Sequence, residues 1–359
     1  MASNLLRRHL LASAFSPLLG VPAQAASTAR HELQFPRDLG AHPEFAIEWW
    51  YLTGWLKADA SSQQAGFGFQ LTFFRSRVAA TQAMTSAFAA RQLIFAHAAV
   101  TDLKDQTMLH DQRIAREGFG IAQASQTDTD VKLRDWSLQR NAKQYAAKAH
   151  ANGFDFQLQL SETQSLLLQG ERGLSRKGPQ PTQASYYYSL PQLQAQGTLR
   201  IGKRQHAVKG SAWLDHEWSN SLMPAQAVGW DWIGMNLFDG SALTAFRLRD
   251  KEGSTIWAGG SLRRSGAAVR DFGPQEVGFT AQRHWTSTLT RTDYPVQWLV
   301  HTPEASYSVK ALLDNQELDS RASTGAVYWE GLSELFDSAG QLIGRGYLEM
   351  TGYASPLRL

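Results

Sequence analysis

Two short segments of the chain bring acids, an imidazole and indole rings together. Residues 210–218 read Gly-Ser-Ala-Trp-Leu-Asp-His-Glu-Trp, and residues 229–232 read Gly-Trp-Asp-Trp. An ionisable group surrounded by aromatic surface is costly to desolvate, so such a cluster indicates a site where a proton is transferred in an apolar pocket. The alternative is that both segments are strand ends whose tryptophans fill a hydrophobic core.

Strand geometry decides which of these side chains can share a pocket. Side chains alternate between the two faces of an extended chain, so His216 and Trp218 lie on one face and Asp215 and Glu217 on the other. We expect His216 and Trp218 to point inward and Asp231 to join them from the next strand. The alternative role for His216 is a structural hydrogen bond. The alternative role for Asp215 and Glu217 is a salt bridge or a capping hydrogen bond at the domain junction.

Other kinds of site are disfavoured. A metal site needs converging ligands, and His216 points away from Asp215 and Glu217 in an extended strand. No Gly-x-Ser-x-Gly nucleophile motif is present in the sequence. The Gly-Phe-Gly triplets at 66–68 and 118–120 lack the strand and helix context of a dinucleotide loop. We therefore expect neither a metal ion nor another cofactor.

The N-terminal residues predict export. Arg7 and Arg8 precede an apolar stretch at residues 10–21, and Ala23-Gln24-Ala25 is a small-x-small cleavage site. We predict a signal peptide at residues 1–25, by the general or the twin-arginine route, and a periplasmic or secreted protein. The apolar stretch is too short for a spanning helix, so we expect no transmembrane segment in the mature chain.

Composition narrows the class of partner. The chain has 35 basic and 32 acidic residues, and removal of residues 1–25 leaves 33 basic residues against 32 acidic ones. This balance argues against a nucleic-acid binder, whose affinity depends on phosphate neutralisation. The chain has no cysteine and 12 Trp, 17 Phe and 10 Tyr, which suits β-structure or a pocket for a large apolar ligand.

Hydrophobic periodicity predicts an all-β protein with few helices. In residues 48–56, Trp50 and Leu52 fall on one face of a strand and Trp49 and Tyr51 on the other, and many other segments also alternate. The only segment that favours a helix is the Ala-rich run at residues 79–91. Many short strands with few helices predict antiparallel barrels or a sandwich.

The order of motifs indicates an internal duplication. Five segments of the first half match five of the second half in the same order: 49–52 with 231–234, 94–99 with 256–260, 154–158 with 307–311, 186–189 with 326–329, and 212–215 with 346–349. Generic similarity between strands is the alternative. A duplication predicts two domains, at residues 31–221 and 226–359, with both acid and indole segments near their junction, where ligand sites are common.

The motifs at 48–51, 95–97, 185–189, 213–218 and 229–232 resemble those of the AttH-like group. That group includes predicted secreted hydrolases and the carotenoid 1,2-hydratases, also called hydroxyneurosporene synthases. The resemblance spans residues 32–353 and implies two tandem lipocalin-like antiparallel β-barrel (calycin) domains with an apolar-ligand site. From the active-site pattern of the carotenoid hydratases, the resemblance implies roles for the His-x-Trp pair, His216 and Trp218, and for Asp231. It also implies an export-type ABC transporter as a partner for secreted members.

The resemblance leads to two hypotheses for function. In the first, the protein binds an isoprenoid or lipid-like ligand near the junction and adds water to a C=C bond. Asp231 or Asp215 would then protonate the alkene, Trp218 and Trp230 would stabilise the cation, and His216 would orient or deprotonate water.

In the second hypothesis the protein is a non-enzymatic carrier for such a ligand. Under either hypothesis, we expect Trp230, Trp232, Glu217 and Tyr187 to contact the ligand.

Overall fold

The structure, a computed structural model, describes residues 32–58, 65–221 and 223–357, so the predicted signal peptide lies outside the described residues. Within these ranges the chain forms strands and two single-turn 3-10 helices, Arg37–Leu39 and Ala79–Thr81. The predicted all-β class with few helices is confirmed. None of the described helices is long and apolar enough to span a membrane.

The helix expected at residues 79–91 is wrong. After the 3-10 turn the segment continues as turns and irregular backbone. Met84 and Phe88, which the helical pattern placed on one face, are 51% and 73% exposed. A short Ala-rich segment gains little helical stability when no apolar face is buried against a neighbour.

The first sheet contains thirteen antiparallel strands in the order β4-β3-β2-β1-β13-β12-β9-β8-β7-β6-β5, with β10 and β11 also paired to β12. It nearly closes into a barrel. Its strands are β1 (Ile47–Lys57), β2 (Phe67–Arg77), β3 (Gln92–Asp102), β4 (Thr107–Arg116), β5 (Ala122–Ala124), β6 (Asp130–Leu133), β7 (Trp136–Asn141), β8 (Gln144–His150), β9 (Phe154–Ser161), β10 (Leu167–Leu168), β11 (Leu174–Arg176), β12 (Ala184–Ile201) and β13 (Arg204–Ser221).

The second sheet contains ten strands in the order β17-β16-β15-β14-β23-β22-β20-β19-β18, with β21 also paired to β22. It too nearly closes into a barrel. Its strands are β14 (Gly229–Leu237), β15 (Ala242–Arg249), β16 (Thr255–Arg263), β17 (Val269–Phe272), β18 (Gly278–Thr286), β19 (Asp293–His301), β20 (Ser306–Ala311), β21 (Glu317–Ser320), β22 (Ala326–Phe336) and β23 (Leu342–Met350).

The two sheets share one strand order, as the predicted duplication requires, and the first sheet continues with two further strands, β6 and β5. The five matched pairs of segments fall on β1 and β14, β3 and β16, β9 and β20, β12 and β22, and β13 and β23, which hold equivalent places in the two sheets. The pairing register corrects the match by one residue on the first pair. Leu52 pairs with Leu214, and Ile233 pairs with Leu348. Leu52 therefore corresponds to Ile233.

The described residues from Glu32 onward form one compact unit with three large apolar clusters. The first fills the interior of the first barrel and includes Leu52 and Leu214. The second fills the second barrel and includes Ile233 and Leu348. The third lies between the sheets and includes Tyr51 and Trp232. The alternating strands thus bury one face inside each barrel and the other at the junction.

Candidate active site at the junction of the barrels

Strand β13 separates two polar environments. Its side chains alternate as expected, so Leu214 contributes to the interior of the first barrel and Trp213 to the junction cluster. Asp215 and Glu217 share the junction side with Trp213, and both line a cavity there. His216 stacks on Trp50 inside the first barrel, with ring centroids 4.6 Å apart. Strand geometry therefore sends the two acids and the imidazole to opposite faces.

The cavity, here called the junction pocket, takes residues from both sheets and encloses about 100 Å³. Its walls are mostly aromatic and its polar groups are mostly carboxyls. The aromatic and apolar lining comprises Trp49, Tyr51, Phe74, Tyr187, Trp230, Trp232, Phe246 and Leu248, and the ionisable lining comprises Lys177, Asp215, Glu217, Glu330 and Glu349. Such a mixture of apolar walls and a few converging polar groups is typical of small-molecule sites.

Asp215 is set up as a buried, protonatable acid. Its Oδ1 accepts hydrogen bonds from Ser189 Oγ at 2.5 Å and from Trp213 Nε1 at 2.7 Å. Burial raises the pKa of Asp215 to about 7, and repulsion from Glu217 adds to the rise against the opposing effect of these hydrogen bonds. The Tyr187 side chain also hydrogen-bonds to this carboxyl group, which lines the junction pocket.

Glu217 is compensated by a cation. Lys177 Nζ lies 3.0 Å from Glu217 Oε1, and Ser185 Oγ donates a hydrogen bond to the same oxygen. Lys177 Nζ also lies 4.3 Å from the ring centroid of Phe246 and 4.8 Å from that of Tyr187. The buried ammonium is therefore held by one carboxylate and two rings. Lys177 comes from the stretch after β11, which the sequence analysis did not single out.

The second sheet contributes two further acids, Glu330 and Glu349, which pair directly across β22 and β23. Desolvation and mutual repulsion raise the pKa of Glu330 well above its usual range. Desolvation also raises the pKa of Glu349 to about 7, although Trp230 Nε1 donates a hydrogen bond to it at 3.0 Å. Glu349 is partly exposed, so it can exchange protons with solvent.

The Tyr51 hydroxyl and Glu330 interact with each other in the pocket wall. The hydrogen bond between them opposes the rise in the pKa of Glu330. Glu330 Oε2 accepts a hydrogen bond of 2.7 Å from Gln70 Nε2. Tyr51, Glu330 and Gln70 thus form a hydrogen-bonded chain beside the cavity.

A second cavity, here called the lateral groove, adjoins the junction pocket and encloses about 240 Å³. The two cavities share Trp49, Phe74, Trp230 and Glu349 as wall residues. The lateral groove extends along the outer face of the first sheet past Phe95. Together they offer a ligand more room than the junction pocket alone.

His216 belongs to a closed network inside the first barrel. Its Nδ1 lies 2.9 Å from the Tyr188 hydroxyl and its Nε2 lies 2.9 Å from Glu48 Oε1. Burial lowers the pKa of His216 to about 4, although Glu48 opposes the shift. His42 Nδ1 also lies 2.8 Å from Glu48 Oε1, and the His42 ring stacks on Trp218 at 3.8 Å. Both ring nitrogens of His216 are thus engaged and away from the junction pocket.

Glu48 is the anionic centre of this network. Burial would raise its pKa, but the hydrogen bonds from His216 and His42 hold the pKa of Glu48 below its usual range. Arg75 Nε lies 2.7 Å from Glu48 Oε2.

His42, Glu48 and His216 could coordinate a metal ion, because one ligand atom from each lies within 4.8 Å of the others. The Arg75 guanidinium already supplies the compensating positive charge, so a second cation there is disfavoured. We assign the set to structure.

Asp231 lies in a third environment. Its carboxylate accepts hydrogen bonds from Arg247 Nε at 2.7 Å and from the Tyr353 hydroxyl at 2.9 Å, and Arg249 Nε lies 3.4 Å away. Arg247 sits over the ring of Trp298, which belongs to the core of the second barrel. The carboxylate is a counter-ion for two arginines.

The structure therefore divides the predicted site residues. The junction pocket brings together Asp215, Glu217, Tyr187, Trp230 and Trp232. The expected grouping of His216, Trp218 and Asp231 in one pocket is wrong. Trp50, the residue of β1 that corresponds in register to Asp231, faces the interior of the first barrel. By the same alternation Asp231 faces the interior of the second.

Two of the acids and cations that line the pocket, Glu349 and Lys177, were not predicted from the sequence as site residues. For Glu349 a signal was present, because the repeat matches it to Asp215, an acid already singled out in the first half. For Lys177 the sequence contains no such signal.

The AttH-like family pattern matches residues 26–353 of this chain, nearly its whole length. The chain belongs to the AttH-like family. A candidate AttH from Nitrosomonas europaea is 46% identical in sequence, covers 91% of this chain and 99% of its own, and superposes with a TM-score of 0.84. The resemblance inferred from the motifs is thereby confirmed.

Two more distant structures share the fold. Kievitone hydratase from Nectria haematococca is 14% identical, covers 92% of this chain and 95% of its own, and has a TM-score of 0.67. CghA is 13% identical, covers 88% of this chain and 90% of its own, and has a TM-score of 0.53. At such identities the likeness establishes the fold alone. No curated protein matches the chain.

Proposed function

We propose that the junction pocket binds an apolar, isoprenoid-like ligand and that the protein adds water to a C=C bond of that ligand. The observation that carries the proposal is the environment of Asp215, a buried acid with a pKa of about 7 in a pocket walled by indole and phenyl rings. A carboxyl group that stays protonated near neutral pH is the proton donor that an unactivated alkene needs. The hydratase fold of a distant relative supports the same class of reaction.

The proposed reaction has two steps. Asp215 transfers its proton to one alkene carbon, and the π electrons form the new C–H bond, which leaves a tertiary cation on the neighbouring carbon. The faces of Trp49, Trp230 and Trp232 on the pocket wall stabilise that cation through their ring quadrupoles. A water molecule then forms the C–O bond and loses a proton to the Glu349 carboxylate. Exchange of protons with solvent restores both acids.

Lys177 and Glu330 have supporting roles in this proposal. Lys177 compensates Glu217, so only part of the acidic cluster carries uncompensated charge. The Tyr51 hydroxyl and Glu330, which both line the pocket, supply hydrogen bonds for the attacking water. We also propose export through residues 1–25 and delivery of the ligand by an ABC-type transporter. Cell fractionation and N-terminal sequencing of the mature protein test the export.

The test of the reaction is isotopic. Purified protein is incubated with acyclic isoprenoid alkenes in water enriched in oxygen-18, and products are analysed by mass spectrometry. We expect labelled alcohol from the wild type. We also expect a loss of about 10²–10⁴-fold in rate for Asp215→Asn, the range that general acid catalysis typically contributes. Glu252→Gln, on an exposed turn, is the matched control and should retain the wild-type rate.

The outcomes separate the two hypotheses for function. Absence of labelled alcohol from every alkene would reject the hydratase. If an apolar ligand nevertheless co-purifies with the protein in native mass spectrometry, the carrier function stands in its place. Loss of the product in Glu252→Gln would show that the assay reports folding rather than chemistry.

A further inference from the structure

The first sheet carries a cluster of exposed aromatic and apolar side chains, here called the aromatic tip. It is formed by residues 77–92, from the end of β2 to the start of β3, and by residues 114–121, from the end of β4 onward. Phe88 is 73% exposed and Phe119 is 57% exposed, and their rings stack 5.6 Å apart. The Arg116 guanidinium lies 3.9 Å from the Phe119 ring centroid and 5.5 Å from that of Phe88. Two large rings and a cation thus share one exposed surface.

The tip holds these rings outward by its own hydrogen bonds. Thr81 Oγ1 donates to the Ala90 carbonyl at 2.7 Å, and Arg91 donates to the Met84 carbonyl at 2.6 Å. Phe119 has a φ of 58°, a left-handed backbone that costs energy for a bulky residue. A ring that is exposed in spite of that cost is unusual for a surface that only meets water.

An apolar row connects the tip to the acids. Ile114 pairs with Phe95, Phe95 with Phe74, and Phe74 with Trp49, across the four neighbouring strands β4, β3, β2 and β1. Cross-strand partners share a face, so this row lies on the outer face of the sheet. Ile114 is 41% exposed and is two residues from Arg116, whereas Phe74 and Trp49 line both the lateral groove and the junction pocket.

We propose that the aromatic tip docks this protein onto the surface of a lipid bilayer, and that the apolar row is the path between the bilayer and the junction pocket. Aromatic rings flanked by arginines are typical of surfaces that insert at the boundary between lipid headgroups and acyl chains. Residues 77–92 and 114–121 together contain three arginines and a single acid, Glu117, so the surface complements anionic lipids. The role of the apolar row rests on the proposed function, whereas docking does not.

Vesicle sedimentation tests the docking directly. Residues 26–359, which include the compact unit Glu32–Leu359, are mixed with vesicles of phosphatidylcholine alone or with about 30% phosphatidylglycerol. We expect binding to the anionic vesicles that weakens in high salt. The variant Phe88→Ser with Phe119→Asn should reduce the bound fraction about tenfold, because it removes two inserting rings and keeps a residue that tolerates the left-handed backbone.

A matched control comes from the second sheet. Phe238 and Leu289 are 53% and 61% exposed there, and Phe238→Ser with Leu289→Ser should bind vesicles as the wild type does. The single variant Phe88→Ser should give a vesicle-bound fraction between those of the wild type and the double variant. It provides a second test of the tip if the double variant does not fold. Equal losses in the tip and control variants, or no binding of the wild type to either vesicle, would overturn the proposal and favour a protein partner.

The role of the apolar row as a path for the ligand is tested by supplying the alkene either in vesicles or in detergent micelles. With alkene embedded in anionic vesicles, the tip variant should hydrate about tenfold more slowly than the wild type, and with alkene in detergent micelles the two should be equal. If the wild-type protein binds vesicles but hydrates no alkene, the docking proposal stands and only the proposed function is rejected. If the protein hydrates alkene in micelles but does not bind vesicles, the docking proposal is rejected.

Discussion

The two faces of β13 show how one strand can serve structure on one side and chemistry on the other. On the inner face, His216 has both nitrogens engaged and shares Glu48 with His42 and Arg75. On the outer face, Asp215 lines the junction pocket and has a pKa of about 7. Both groups are buried. Burial favours the neutral form of both groups, against the effect of their hydrogen-bond partners. What differs is that Asp215 lines a cavity, and this difference separates a structural network from a candidate proton donor.

The inner network should be the more costly to break. Replacement Glu48→Gln leaves the buried Arg75 guanidinium without its carboxylate, and we expect the free energy of unfolding to fall by about 3–5 kcal/mol. Asp215→Asn, on the opposite face, should change stability by less than about 1 kcal/mol at pH 4, where Asp215 is neutral in the folded protein and only about half ionised in the unfolded chain. Chemical denaturation of both variants measures the contrast. Similar losses in the two would remove the distinction between the faces.

The two faces should also respond to pH with opposite signs. The pKa of Asp215 rises from 3.8 to about 7 on folding, so the folded protein keeps a proton that the unfolded chain releases between about pH 4 and pH 7. This group therefore lowers the free energy of unfolding as pH rises through that window. The pKa of Glu48 is lowered on folding, so its contribution is present above about pH 4.5 and is lost as pH falls further.

Comparison of the wild type with Asp215→Asn isolates the contribution of Asp215 to the pH dependence of stability. Asp215→Asn should gain stability over the wild type from pH 4 to pH 8, by up to about 4 kcal/mol, because one pKa unit corresponds to roughly 1.4 kcal/mol. Urea denaturation at several pH values gives the curve. A difference that stays constant across the window would mean that Asp215 does not hold its proton in the folded protein.

The rate of hydration should depend on pH as a bell centred near 7. The proposed reaction needs Asp215 protonated and Glu349 ionised, and both have a pKa of about 7, so the apparent values belong to the coupled pair. The rate should fall about tenfold per pH unit on either side. Glu349→Gln should lower the maximum and abolish the acidic limb. An acidic limb that survives this change would assign the base to another group.

The smallest effect should come from single indoles. Trp232→Phe removes the hydrogen bond of 3.3 Å from its Nε1 to the Tyr187 hydroxyl in the pocket, and we expect ligand affinity to fall about threefold to tenfold. Trp218→Phe, which changes the ring stacked on His42, should leave ligand affinity unchanged. Calorimetric titration of both variants tests the assignment of the two tryptophans to different faces.

Much of the fold could be predicted because strands carry their signal locally. Alternation at period two predicted the strands, and the ordered repeat predicted a topology that β1 and β14 or β13 and β23 now share. The prediction of a helix at residues 79–91 failed because local composition does not indicate that Met84 and Phe88 stay largely exposed.

The site was only partly predictable. Alternation correctly placed Asp215 and Glu217 on one face and His216 with Trp218 on the other. It did not indicate which face meets a cavity, since that depends on how the second sheet packs against the first. Asp231 was misplaced for the same reason, because its partners Arg247 and Tyr353 are distant in sequence.

The sequence by itself determined the strand periodicity, the duplication and the family, since each depends on residue types at fixed spacing. The packing of the two sheets decided the rest. It placed Glu330 and Glu349 opposite Asp215 and Glu217, and desolvation in that contact is what raises the pKa of Asp215 and Glu349. Desolvation is a property of the surroundings of a group, so only the assembled tertiary structure could separate the proton donor from the counter-ions.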